Sequence, residues 1–115
     1  MLLEFLIAIL IGVLIGTLTG LTPGIHINLV AVILLSFSVF LLNLTTPIIL
    51  AVFIVSMAIT HTFLDFIPSI FLGAPNEDSF LSILPGHQLL LKGNAYYALV
   101  YTLYGGLMAL IIILL

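Results

Sequence analysis

The pattern of apolar and polar positions divides most of the chain into four long apolar stretches, at residues 2–21, 27–42, 47–72 and 95–115. A helix needs about 20 predominantly apolar residues to cross a lipid bilayer. The first, third and fourth stretches reach that length, whereas the second is short for a full crossing. The pattern therefore predicts about four transmembrane helices.

Prolines indicate where these helices begin, end or bend. Pro23 cannot donate a backbone hydrogen bond, so we expect the first helix to end before it. Pro47 suits the first position of the third helix, with Thr46 as its N-cap. Pro68 lies inside the third stretch, and we expect it to break or kink that helix near Leu64.

Most of the polar side chains lie in one segment, residues 77–92. The apolar residues between them are too few to span a bilayer. We therefore expect an amphipathic or re-entrant segment, which lies on the membrane or dips into it and is interrupted at Pro85-Gly86.

The composition indicates a protein that lipid surrounds. Charged residues make up 4% of the chain and apolar residues 64%, whereas globular proteins carry about 25% charged residues. The mean hydropathy is +1.55. The predicted fold class is an all-α integral membrane protein, which crosses the cell (plasma) membrane several times as a single membrane domain over residues 1–115.

The same composition argues against several kinds of function. One basic residue, Lys92, leaves no basic face for nucleic acid. The chain has no Cys for a disulfide or a thiolate metal site, and its three His do not form an HExxH pattern. Because no nucleophile or phosphate-loop motif accompanies them, we expect neither an enzyme nor a bound metal or cofactor.

Small residues recur along one face of the first predicted helix, at Gly12, Gly16 and Gly20. In lipid, such a stripe lets two helix backbones approach closely. We interpret it as a helix-packing face. The alternative is a flexible helix beside a moving site.

The stretch after the first helix contains the strongest candidates for substrate binding: Thr22, Pro23, Gly24, His26 and Asn28. Non-helical backbone at membrane depth is tolerated only where protein buries it or a wet cavity adjoins it. Broken helices of this kind form the substrate sites of many secondary transporters, where a helix N-terminus faces an anion. Thr22 would cap the next helix. The alternative is a plain turn at the membrane interface.

Two ionisable residues, His61 and Asp65, lie four positions apart on one face of the third predicted helix. Ionisable residues inside a membrane are costly and mark functional sites by default. We interpret the pair as a candidate for ion coupling. A neutral, hydrogen-bonded pair near the interface is the alternative.

Three segments, in matching order and spacing, resemble the TctA family, the large permease subunits of tripartite tricarboxylate transporters. They are residues 16–24 (GTLTGLTPG), 67–77 (IPSIFLGAPNE) and 84–93 (LPGHQLLLKG). The resemblance spans nearly the whole chain but only the N-terminal part of such a permease. It implies a carboxylate carrier built from two related halves, with Pro-Gly loops near the substrate. By this resemblance Pro23, Gly24, Pro75 and Asn76 lie at or near the binding site.

The leading hypothesis is therefore a TctA-like permease, or its N-terminal part, that carries a di- or tricarboxylate with an ion gradient. Its expected partners are lipid, the organic anion, and the remaining half of the permease or further copies of the chain. The family also implies a small membrane subunit and an extracytoplasmic solute-binding protein. Two alternatives stay open: an assembly protein that packs through the glycine face, and an inactive truncated permease.

Overall fold

The structure, a computed structural model, describes residues 2–73 and 80–115, with the backbone alone at 80–83. Pro75 and Asn76 lie outside these ranges. The described residues form six helices. The helices are α1 (Leu2–Leu21), α2 (Ile27–Leu44), α3 (Pro47–Leu64), α4 (Phe66–Leu72), α5 (Phe80–Leu91) and α6 (Ala95–Leu114).

The chain divides into two compact units, Met1–Leu64 and Asp65–Leu115. The first contains α1 to α3, and the second contains α4 to α6. Within the described ranges, four stretches are long and apolar enough to cross a membrane: Leu2–Leu21, Ile27–Leu44, Pro47–Leu72 and Ala95–Leu114. The predicted all-α membrane protein is confirmed.

The exposed side chains of these helices are apolar. Leu14 of α1 is 61% exposed and Val39 of α2 is 76% exposed, and many other large apolar side chains are exposed as well. Soluble monomers rarely expose apolar patches larger than a few hundred Å². The solvent that matches this surface is the hydrocarbon core of a bilayer.

In the first unit, α1 packs against α3 along the glycine face. Gly12, Gly16 and Gly20 are buried. A Cβ atom on Gly16 would lie 2.5 Å from the carbonyl oxygen of Met57 and 2.8 Å from the Cβ of Thr60. Residues any larger than glycine would force the two backbones apart.

The contacts advance along both helices in the same direction. Gly12 faces Ser56, Gly16 faces Thr60, and Gly20 faces Leu64. The two helices are therefore parallel, and α2 returns the chain between them. Each step of four residues on α1 matches a step of four on α3, so that a single helical face supplies the whole contact.

In the second unit, α5 contacts both α4 and α6. Gly86 of α5 lies against Ile70 of α4, where an added Cβ would lie 3.1 Å from the Ile70 Cγ1 atom. Ile70 and Ala98 of α6 are almost fully buried. Gly86 thus allows α4 and α5 to approach closely.

The third apolar stretch is divided at Asp65, as Pro68 predicts. The missing N–H of Pro68 leaves the carbonyl of Leu64 without its helical donor, and α3 ends at Leu64. Pro68 is then the third residue of α4, where its N–H would have had no helical partner. Two other ends differ slightly from the pattern, since α2 continues to Leu44 and α6 ends at Leu114.

The predicted interruption at Pro85-Gly86 is wrong, because α5 continues through both residues. Pro85 is the sixth of the twelve residues of α5, and it removes the one hydrogen bond that its N–H would have donated to the carbonyl of Leu81. The residue after it, Gly86, gains close packing against Ile70. Packing within the unit therefore outweighs the local cost of the proline.

We expect Gly16→Ala to lower the free energy of unfolding by about 1–3 kcal/mol, because the new methyl group meets the α3 backbone. Gly105→Ala is the matched control, since an added Cβ there has no atom within 4 Å. Denaturant titration in micelles, followed by circular dichroism, measures both variants. Equal stability of the two variants would contradict the close contact.

Candidate functional site

The connection between α1 and α2 is a tight turn at Thr22–Ile25. The N–H of Ile25 donates to the carbonyl of Thr22 at 3.3 Å. Pro23 occupies the second position, and Gly24 occupies the third with φ of +83°. Proline followed by a glycine with positive φ is typical of a type II turn. The Pro-Gly sequence therefore determines how the chain leaves α1.

Thr22 closes α1, and its predicted role as a cap of α2 is wrong. Its hydroxyl donates to the carbonyl of Leu18 at 2.6 Å, one turn back in α1. Because the turn shifts the start of α2 to Ile27, three residues lie between Thr22 and the N-cap position of α2. His26 is the N-cap, in an extended conformation, and makes no side-chain cap bond.

Five of the seven residues predicted to bind substrate lie between the end of α1 and the first turn of α2. Thr22, Pro23 and Gly24 belong to the turn, His26 precedes α2, and Asn28 lies in its first helical turn. All five are exposed. No atom lies within 4 Å of the position that a Cβ of Gly24 would take. This region therefore has room for a ligand or for another part of a larger protein.

A separate polar contact lies inside the first unit, between α3 and α1. His61 of α3 is 1% exposed, and its Nδ1 atom lies 2.9 Å from the hydroxyl oxygen of Thr19. The Thr19 hydroxyl in turn lies 3.0 Å from the carbonyl of Ile15. Because that hydroxyl has a single proton to donate to the carbonyl, it accepts from His61. This arrangement assigns a proton to Nδ1.

The glycine face is what brings Thr19 to His61. A Cβ on Gly16 would lie 3.2 Å from the His61 nitrogen, and one on Gly20 would lie 2.8 Å from the His61 carbonyl oxygen. The backbone of His61 thus rests between two glycines, one turn apart, with Thr19 beside them. Sequence reasoning selected His61 but not Thr19, whose partner is 42 positions away.

Asp65, the predicted partner of His61, follows α3 at the N-cap position of α4. It is half-buried. His61 belongs to the first compact unit and Asp65 to the second. Their pairing stays a prediction.

Sequence reasoning missed a polar contact in the second unit, at His87 of α5. Its Nδ1 atom lies 2.7 Å from the carbonyl oxygen of Ile70. The imidazole also covers Gly73, where a Cβ atom would lie 2.7 Å from Nε2. The available signals were a histidine directly after Pro-Gly and a glycine at the end of α4, but nothing local connects the two.

The described part of the first unit also contains an apolar groove of about 460 Å³. Glu4, Leu41 and Phe53 are among its lining residues, which come from α1, α2 and α3 or from the residue after α2. None of the five exposed binding candidates lines it. Within residues 2–73 and 80–115, no three His, Cys, Asp or Glu residues come together as metal ligands.

Comparison with known proteins assigns the chain to a family. Residues 6–115 match the tripartite tricarboxylate transporter TctA family. The chain belongs to the TctA family. With its four apolar spans, this TctA chain is a multi-pass membrane protein, and the plasma membrane is the usual location of such transporters.

The TctA chain is also similar to an uncharacterized protein of Methanocaldococcus jannaschii. The two are 40% identical over 92 residues, which cover 79% of this chain and 22% of that protein. The chain thus spans about a fifth of the length of the curated relative that it matches. No solved structure is significantly similar to it.

In the TctA chain, we expect Thr19→Val to cost about 1–3 kcal/mol of unfolding free energy, because it leaves the buried Nδ1–H of His61 without its acceptor. Thr19→Ser is the control, since it keeps the hydroxyl. Unfolding in micelles measures the difference, and the ¹⁵N spectrum of the His61 ring reports the loss of the Nδ1 bond. If valine is tolerated as well as serine, the assigned hydrogen bond is wrong.

Proposed function

We propose that this TctA chain is the N-terminal part of a permease that carries a di- or tricarboxylate across the membrane with an ion gradient. The observation that carries the proposal is the exposed turn at Thr22–Ile25, which leads into the uncapped start of α2. The resemblance of residues 16–24 to the Pro-Gly segment of the family supports the same region of the chain.

Few positively charged side chains are present to attract an anion. The sequence contains one Lys and no Arg. The N–H groups in the first turn of a helix lack helical acceptors, and the helix dipole adds partial positive charge there. At the start of α2, the side chain of His26 makes no hydrogen bond to these N–H groups. We therefore propose that the α2 N-terminus binds a carboxylate group of the substrate.

Side chains around this terminus complete the proposed site. His26 and Asn28 are exposed on either side of the first residue of α2, and both side chains can donate hydrogen bonds. Thr22, Pro23 and Gly24 hold the entry to the helix in a fixed turn. By family resemblance, Pro75 and Asn76 contribute a second loop to the same substrate.

Ion coupling is proposed at His61 and Asp65. The position of His61 supports this role, because its ring is 1% exposed and its Nδ1 atom lies 2.9 Å from the hydroxyl oxygen of Thr19. A buried ionisable residue in a membrane helix is costly to keep unless it serves a purpose. A carboxylate at position 65 would complete a proton or cation site.

The working protein requires further parts. Because the chain spans about a fifth of its curated relative, we propose that the remaining permease, or further copies of this chain, complete the transport path. The family's name implies a tripartite system. We propose a small membrane subunit and an extracytoplasmic solute-binding protein as the other components.

The alternatives have less support from the described residues. An assembly protein would offer its glycine face to a partner, whereas α3 of the same chain covers that face here. An inactive truncated permease differs from the proposal in one measurable way. Such a product transports nothing, either alone or with the rest of the permease.

We expect Pro23→Ala combined with Gly24→Ala to abolish uptake of labelled citrate into proteoliposomes that contain the complete transporter. Alanine at position 24 disfavours φ of +83°, so the turn and the start of α2 lose their arrangement. Uptake is measured with imposed proton and sodium gradients.

Gly93→Ala is the matched control for this experiment. Gly93 also has positive φ, at +79°, and no atom lies within 4 Å of its Cβ position. Its backbone strain is therefore comparable, but it lies outside the proposed site. Unchanged uptake in the Pro23 and Gly24 variant, or equal loss in the control, would count against the proposed site.

A further inference from the structure

One side of α6 carries tyrosines well inside its apolar span. Tyr101 and Tyr104 lie three positions apart, and Gly105 follows, so the three residues share one side of the helix. We call these three residues the tyrosine face. Tyr101 and Tyr104 are each 64% exposed. Tyrosine is typical of the membrane interface, which explains Tyr96 and Tyr97 at the start of α6 but not the tyrosine face.

The depth of Tyr104 follows from where α6 begins. Lys92 lies in the turn before the helix, and its charge belongs outside the hydrocarbon. Tyr104 is the tenth residue of α6, so a rise of 1.5 Å per residue places it about 15 Å from the turn. That distance is about half the thickness of a bilayer's hydrocarbon core. A rigid ring that turns about two bonds cannot carry its hydroxyl from there to the headgroups.

Contact with lipid would leave the Tyr104 hydroxyl without a partner. Among the residues that the structure describes, none hydrogen-bonds to this hydroxyl. Hydrocarbon offers no acceptor or donor, so a hydroxyl there costs free energy. Thr102 avoids that cost, because its hydroxyl donates to the carbonyl of Ala98 at 2.9 Å. The tyrosine face therefore suits a neighbour that can form hydrogen bonds.

A groove of about 370 Å³ lies beside the tyrosine face, within the second unit. Its walls come from α4, α5 and α6, and Tyr101 and Gly105 are among the lining residues. No atom lies within 4 Å of the position that a Cβ of Gly105 would take. In lipid, a glycine allows a second backbone to approach closely, as Gly16 does for α3. The groove therefore has room for one side of another helix.

We propose that the tyrosine face is the docking surface for a transmembrane helix of the remaining permease, and that a polar group of this helix hydrogen-bonds to Tyr104. The inference rests on the proposal that the chain is the N-terminal part of a larger permease. The matched region is 22% of the curated relative, so most of that protein has no counterpart in this chain.

A helix meets both requirements of this surface. It fills the groove beside Gly105, and it brings a hydrogen-bonding group to the depth of Tyr104. Side chains of Ser, Thr, Asn, Gln and His form such bonds between membrane helices. An acyl chain of a lipid also fits an apolar groove, but it supplies no hydrogen bond. The depth of the hydroxyl thus favours protein over lipid.

The test places a photoreactive benzophenone amino acid at position 104 of the complete transporter, in native membranes. Position 103 is the matched control, because Leu103 lies at the same depth, is 51% exposed, and is on the opposite side of α6 from Gly105. Mass spectrometry of the crosslinked peptides identifies the neighbour. We expect position 104 to crosslink to an apolar segment of the permease outside residues 1–115, and position 103 not to reach that segment.

Two results of the crosslinking would overturn the inference. Crosslinks from position 104 to lipid alone would mean that no helix covers the tyrosine face. Crosslinks to a peptide from residues 1–115 would mean that this chain, or a second copy of it, covers the face instead. The measurement does not depend on transport. If the complete transporter takes up no carboxylate, the proposed function fails, but the crosslinks still decide where the remaining permease docks.

The hydrogen bond is tested by removal of one hydroxyl. In the complete transporter, Tyr104→Phe leaves the polar group of the docked helix unpaired, so we expect Tm in nanodiscs to fall by about 1–4 °C. Tyr96→Phe is the control, since Tyr96 is 72% exposed at the start of α6, where water can replace the bond. We expect its Tm to stay at the wild-type value. A Tyr104→Phe variant as stable as the wild type, or more stable, would overturn the bond, because Phe suits lipid better than Tyr.

Discussion

The close approach of α1 to α3 is the contact on which the first unit depends. In lipid, apolar side chains gain little from meeting each other, so helices associate through tight packing and hydrogen bonds. Gly12, Gly16 and Gly20 allow that packing, because the α3 backbone lies where their side chains would be. The same approach brings Thr19 within 2.9 Å of His61. The buried histidine is therefore a consequence of the glycine spacing.

A chain with so few charges must use backbone groups for polar chemistry. The candidate anion site and the His87 contact both lie at helix ends, where N–H or carbonyl groups lack helical partners. At Thr22–Ile25 a Pro-Gly turn leads to the first N–H groups of α2. At the end of α4, His87 takes an unused carbonyl and leaves its second nitrogen beside Gly73. Glycines with positive φ shape both places.

Local rules predicted the features that depend on local sequence. The length of the apolar stretches predicted the spans, and Pro68 predicted the break after Leu64. The errors at Thr22 and Pro85 arose because those rules ignore packing and the length of the turn. The contact between His87 and Ile70 joins residues 17 positions apart. No periodicity encodes such a contact, since it depends on how α5 lies against α4.

The most direct test of this account is solid-state NMR of the wild-type chain in lipid bilayers, with ¹³C-labelled glycine and ¹⁵N-labelled histidine. It measures the approach of the two helices without any substitution. The account predicts through-space cross-peaks from the Cα carbons of Gly16 and Gly20 to the backbone nitrogen of His61. It predicts none from Gly24 of the same unit, which has open space beside it. Absence of the two α1 peaks, in a spectrum that contains the sequential peak between Gly86 and His87, would contradict the packing that the account depends on.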